Sequence, residues 1–218
     1  MKKILLPLAI APAMFLLTGC SVSVQDLVKT NMSESTYSYF YGKCDEFEMS
    51  ISSGEREEPY AFDGQSREKC DFALAVMKLD SKKESESVVI SINGDASSYL
   101  FEYNIVTGTY MFDLEKEILE DSSISVKYGN TEISLDCLSS EFEIAYEEAL
   151  AIGVNEFAEE LSGMLEKNEL KCECYLKVLD NMSGEYNARF WCFSICDVKG
   201  YHYNCIIDVS SGKIVART

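Results

Sequence analysis

Nine cysteines and one histidine are the residues of this chain best suited to chemistry, and the thiols are clustered. Five of them fall near the end, as Cys172-Glu173-Cys174, Cys192, Cys196 and Cys205. Thiols at that density suit disulfide bonding, thiolate capture of a metal, or redox exchange. Zinc would need thiolates almost exclusively. No CxxC element is present, although a four-thiolate cluster on adjacent strands is geometrically conceivable. Disulfide bonding is the stronger reading. Setting Cys20 aside leaves eight thiols, Cys44, Cys70, Cys137 and the five above, and an even number in an exported chain points to bridges. If the turn from Asp197 to Gly200 pairs Cys196 with Tyr201, Cys192 falls opposite Cys205, close enough for a cross-strand bond. A one-residue slip would remove that pairing. Buried, reduced cysteines packed as small hydrophobes are the alternative.

The remaining chemistry is thin. A Ser-His-Asp or Cys-His mechanism would depend wholly on His202, which sits in an expected strand between Tyr201 and Tyr203 with no nucleophile-elbow glycines nearby. Paired carboxylates abound, but without a cleft they do not define a glycosidase pair. Asp63-Gly64 and Asn93-Gly94-Asp95 lack the Asp-x-Asp-x-Asp-Gly pattern of a calcium loop and read as turns. No glycine-rich phosphate loop follows a strand. The chain is therefore read as no enzyme, with no catalytic residue, no metal site and no cofactor. Trp191, in Phe190-Trp191-Cys192-Phe193, reads as core packing against a helix, with an exposed aromatic binding stripe as the alternative.

The N-terminus carries an address. Lys2 and Lys3 precede an apolar run, Ile4 to Leu17, that is too short to span a bilayer as a helix and reads as a secretory signal. Leu17-Thr18-Gly19-Cys20 then resembles the lipobox of bacterial lipoproteins. The resemblance implies diacylglycerol on the Cys20 thiol, cleavage before it, and a protein anchored on the extracytoplasmic side of a cell membrane. Two or more acyl chains hold a protein stably where one does not. Ser21 is non-acidic, which resembles the sorting pattern for an outer membrane where the host has one.

Charge narrows the partners. The net charge of −18 becomes about −20 once Lys2 and Lys3 leave with the signal. Nucleic acid and bare anionic headgroups carry the same sign, so neither is an expected partner. Most carboxylates read as a solvated surface, and a cationic partner stays open. Hydrophobic residues make up 47% of the chain, including thirteen Tyr and eleven Phe, enough for a real core.

The elements that must position these groups are mostly short strands. Residues 20–35 read as a lipidated tether or a short packed arm, and residues 36–138 as an antiparallel β-rich domain. Its strands are expected at Tyr37 to Tyr41, Phe47 to Ile51, Phe72 to Leu79, Ser87 to Ile92, Tyr99 to Val106, Tyr110 to Phe112, Ile124 to Tyr128 and Glu132 to Leu138. Ser53 to Lys69 reads as a charged loop, Asp80 to Glu86 as a break, and Gly129-Asn130 as a hairpin turn. From Ser139 the texture changes. Ser140 and Glu143 fit a capping box ahead of an amphipathic run through Phe142, Ala145, Ala149 and Ile152, which resumes at Phe157, Leu161, Met164 and Leu165 after a kink at Gly153. Strands return at Cys172 to Leu179, Tyr186 to Cys196, Tyr201 to Val209 and Lys213 to Ala216, with turns at Asn181 to Gly184, Asp197 to Gly200 and Ser210 to Gly212.

The helix Glu147-Glu148-Ala149-Leu150-Ala151-Ile152 and the ending Tyr203-Asn204-Cys205-Ile206-Ile207-Asp208-Val209-Ser210-Ser211-Gly212-Lys213-Ile214-Val215 together resemble the PepSY family over residues 139–218. The resemblance implies a small α+β module, a helix followed by an antiparallel meander, of a kind thought to bind or restrain envelope proteins. The long helical stretch after Gly153 and the many cysteines depart from that pattern. The resulting expectation is an α+β chain: signal peptide 1–19, tether 20–35, β-rich domain 36–138 and PepSY-like domain 139–218. Its expected role is non-catalytic binding or regulation of another envelope protein. The alternative is a metal-binding or redox role for the C-terminal cysteines.

Overall fold

Alternation of apolar and polar residues dominates the chain, and the computed structural model, which describes residues 23–79, 86–114, 116–180 and 189–218, is 55% strand and 15% helix. After helix α1 (Val24–Thr30), strands β1 (Met32–Lys43), β2 (Phe47–Glu57), β3 (Lys69–Leu79), β4 (Glu86–Ile92), β5 (Asp95–Asn104), β6 (Thr109–Asp113), β7 (Ile124–Tyr128) and β8 (Thr131–Cys137) follow. They close into an eight-stranded antiparallel barrel in the order β1-β2-β3-β6-β5-β4-β7-β8, sealed where Phe40 and Tyr41 of β1 pair with Cys137 and Asp136 of β8. Phe47, Met49 and Ile51 point inward by the period of two, and so do Val88 with Ile90 and Ile124 with Val126. With Phe40, Phe101, Tyr110 and Leu135 they fill the interior, as expected for a barrel of this strand number.

A second layer grows from the same strand. A 3₁₀ turn at Ser139–Glu141 leads to α2 (Tyr146–Glu156) and α3 (Ala158–Gly163). The small pair β9 (Leu165–Glu166) and β10 (Glu169–Leu170) follows, then β11 (Cys172–Asp180), β12 (Arg189–Asp197), β13 (His202–Asp208) and β14 (Ile214–Arg217). β11 pairs in parallel with the first residues of β1, Met32 with Cys174 and Ser35 with Leu176, and β12 to β14 extend the sheet outward. At about 3.3 Å per residue the twelve residues of β1 reach roughly 40 Å, long enough to serve β11 at one end and β8 at the other. The helices cover one face of this layer over Leu150, Phe157, Leu161, Trp191, Phe193 and Ile207.

This architecture contradicts the expected α+β class with a PepSY-like second module: the chain is mainly β, a closed barrel with extra strands. The reason lies in β1. Its free edge takes up the C-terminal meander, so those strands prolong one continuous sheet, while the helical stretch condenses into helices of 11 and 6 residues. The stretch read as a tether up to Ser35 supplies α1, capped by the Ser23 hydroxyl accepting from Asp26 N, and the start of β1, with Val28 and Met32 buried.

Local expectations also shift. β2 runs through Gly54 to Glu57, where a loop was expected from Ser53, because at residue 54 any Cβ would lie 1.9 Å from the Ser35 carbonyl oxygen and glycine alone lets β1 approach. The capping box at Ser140 does not form. Ile144 N donates to Val209 O and Ile144 O accepts from Trp191 Nε1, which hold the chain extended until Tyr146 starts the helix. Gly153 lies inside α2 rather than at a kink; its missing Cβ makes room for the Phe193 ring, and the break falls at Phe157. The break at 80–85, the turn at 181–184, the strand start at 186–188 and the whole N-terminal signal with Cys20 lie outside the described residues. Among the described residues no helix is long and apolar enough to cross a membrane.

Candidate functional site

Where the barrel meets the second layer, a groove of about 540 Å³ opens between β1, the segment 117–121 and the start of α2. Its base is aromatic. Tyr37 and Tyr146 meet edge to face at 5.1 Å, and Tyr146 lies 6.2 Å from Trp191, which is itself buried. Buried hydroxyls set the wall: Ser38 Oγ donates to Ile118 O, and Ile118 N donates to Ser53 Oγ at 2.6 Å. With Ile118 anchored inward, Glu117, Leu119, Glu120 and Asp121 stand exposed around it. Glu147 completes the rim and pairs with Lys29 at 2.7 Å, whereas Glu117, Glu120 and Asp121 have no ion-pair partner among the described residues. Among the described residues no lysine or arginine lines the groove. Burial, then the hydrogen bond to Glu55, raises the Tyr37 phenol; burial also raises that of Tyr146. Both therefore stay protonated, and Tyr37 donates to Glu55 at 2.9 Å. An aromatic floor under an acidic rim attracts a cation, with about 0.5–2 kcal/mol available from each well-placed ring.

The opposite face of the second layer holds a second polar arrangement. β11, β12 and β13 place Glu173, Cys196 and His202 directly across from one another, and Ser33 Oγ of β1 reaches the Glu173 carboxylate at 3.5 Å. Glu173 and Glu57 are both buried, and the segment 58–68 lies over them as a strap. Ala61 N donates to Glu57 Oε1, Tyr175 OH donates to Glu173 with Ala61 O also 3.1 Å from its oxygen, and Arg67 stands 3.7 Å from Glu57 while pairing with Asp63. Cys196 Sγ and His202 Nε2 are 3.8 Å apart. That pair does not make an activated thiolate: burial and then the Glu173 charge push the Cys196 thiol up to about 11.

The C-terminal cysteines divide between the two faces. Cys172 and Cys174, with sulfurs 4.0 Å apart, and Cys205 lie under the helices. Cys196 lies on the strap face, and Cys192, four residues along the same strand, shares that face by the alternation of β12. The expected opposition of Cys192 and Cys205 fails by one residue. Asp197 N donates to Tyr201 O around a turn closed by Gly200 in positive φ, which pairs Cys196 with His202 and Cys192 with Ile206. All eight described sulfurs are unbridged, and among the described residues no three His, Cys, Asp or Glu side chains gather as metal ligands. Burial pushes the Cys205 thiol up to about 12, and the Cys172 hydrogen bond with burial raises that of Cys174.

Trp191 was the one groove residue that the sequence singled out. Tyr37, Tyr146 and the carboxylates of 117–121 carried only the weak signal of acidic residues crowded beside an apolar pair, Ile118-Leu119. No family model, no curated protein and no solved structure matches this chain.

Proposed function

We propose that this chain is a lipid-anchored extracytoplasmic binding protein, non-catalytic itself, whose groove receives a basic segment of another envelope protein. The observation that carries this reading is the pairing of the half-buried rings of Tyr37 and Tyr146, backed by the buried Trp191, with the exposed carboxylates Glu117, Glu120 and Asp121, which have no ion-pair partner and no basic residue in the groove lining among the described residues. The acid excess of the chain adds a long-range field of the same sense, which speeds capture of a positive partner. The Leu17-Thr18-Gly19-Cys20 motif supplies the membrane address.

Titration calorimetry with a short peptide alternating lysine and aromatic residues tests the groove. Binding should weaken with salt, and a triple variant, Glu117→Gln with Glu120→Gln and Asp121→Asn, should lose about tenfold or more in affinity with its melting temperature unchanged. Equal affinity in the triple variant would remove the groove from the reading. Fatty-acid labelling of cells producing the native chain and Cys20→Ala tests the anchor separately; label should appear on the first alone.

A further inference from the structure

We infer that the surface formed by Phe62, Val198 and Tyr201 is the face this protein lays against the bilayer, an inference that rests on the reading of Cys20 as its anchor. These side chains are 56%, 53% and 64% exposed, large apolar groups that no element among the described residues covers. They gather at one end of the sheet. Phe62 of the strap meets Tyr60 edge to face at 5.2 Å and lies 6.4 Å from the His202 ring, Gly64 packs against the backbone of Asp197 and Val198, and Tyr201 closes the turn that carries Val198, its N donating to Asp197 Oδ1. Exposed apolar clusters of this kind mark docking surfaces, and aromatic side chains with an apolar body suit the headgroup boundary.

Chain length names the occupant. Three Cα–Cα steps, through Ser21 and Val22, separate Cys20 from Ser23 and span about 11 Å at most. Seven residues of α1 add about 10 Å, and the end of that helix, Thr30 and Asn31, lines one cleft together with Gly64, Gln65, Arg67 and Val198. Cys20 is therefore tethered within about 20 Å of the helix end that shares this cleft with Val198. Arg67, paired with Asp63, Lys177, paired with Glu34 at 2.9 Å, and Lys199, in the turn with Asp197, place three cations beside this surface. The Lys177 ammonium sits over the rings of Tyr60, Phe62 and Tyr175 and donates to Tyr60 OH.

The test uses the chain from Ser21 onward, with an N-terminal hexahistidine, docked on phosphatidylcholine vesicles that contain a nickel-chelating lipid. Phe62→Trp adds a reporter beside the buried native Trp191, and Ile105→Trp, at the 83% exposed tip of the β5–β6 hairpin, serves as the distant control. Bromine-labelled phosphatidylcholine should quench and blue-shift the Phe62→Trp emission several-fold more than that of Ile105→Trp. Equal quenching at both positions overturns the inference. So does an unquenched Phe62→Trp, and its burial by an added envelope protein would then make the patch a protein interface instead. Docking through nickel does not need acylation, so a failure to label Cys20 in cells defeats the anchor reading while this measurement still reports on the surface.

Discussion

Around the barrel every strand has two hydrogen-bonded neighbours and the enclosed side chains run apolar from Phe40 to Leu135, whereas the adjoining sheet ends at an open edge, β14, and has polar groups buried along its seam with β1 and β2. Ser33, Ser35, Glu57 and Glu173 are all enclosed there. A closed barrel satisfies its own backbone and needs only volume inside. An open layer satisfies one face with helices and the other with a strap, and each cover is held by specific hydrogen bonds. The groove lies where the barrel meets the layer, and the strap and the exposed patch lie on the layer itself.

If the two cores are separable, the largest effect should come from truncating the layer. Phe193→Ala should cost about 3–5 kcal/mol and Phe101→Ala in the barrel a similar amount, since both rings are buried. In urea, Trp191 fluorescence reports the layer and far-ultraviolet dichroism the whole sheet; Phe193→Ala should bring the first transition well ahead of the second. Coincident transitions in both variants would mean that β1 welds the cores into one unit.

Removing one hydroxyl sharpens the contrast between covers. Tyr175→Phe removes the phenol that bonds Glu173 and contacts Ala61 O of the strap, leaving Glu173 only the 3.5 Å contact from Ser33 Oγ, and should cost about 1–3 kcal/mol, with trypsin then cutting at Arg67 faster than in the native protein. Phenylalanine in place of tyrosine with the cutting rate unchanged would show that the strap is held by packing alone.

Alkali should act on the layer first. The thiols of Cys196 and Cys205 are raised to about 11 and about 12 in the fold, chiefly by burial, so the folded chain holds protons that the unfolded chain releases. Their contribution is complete below the ordinary thiol value of 9.0 and is lost as pH rises through the folded values. Urea midpoints followed by Trp191 should therefore fall between about pH 9 and about pH 11, and the double variant Cys196→Ser with Cys205→Ala should flatten that slope. The smallest change is expected at the edge strand. Arg217 pairs with Glu156 and Glu160 and covers the Phe157 ring, and half-exposed pairs of this kind are worth at most about 1 kcal/mol, so Arg217→Met should lower the melting temperature only slightly.

Much of the secondary structure was legible in the residues. The alternation in Phe47 to Ile51, Ser87 to Ile92 and Ile124 to Tyr128 falls on β2, β4 and β7, and Gly129-Asn130 does turn β7 into β8, because side-chain period and turn chemistry act within a few residues. What only the tertiary structure decided was partnership. Nothing local told β1 to close against β8 at Phe40 while taking β11 at Met32, or put β5 and β6 between β3 and β4. The register slip at Asp197 to Tyr201 is a shift of a single residue, yet it separates Cys192 from Cys205, because neighbouring residues on a strand point to opposite faces. The groove follows the same rule: Tyr37, Glu117, Tyr146 and Trp191 come from four distant stretches and become neighbours only when the long-range hydrogen bonds of the sheet bring them together.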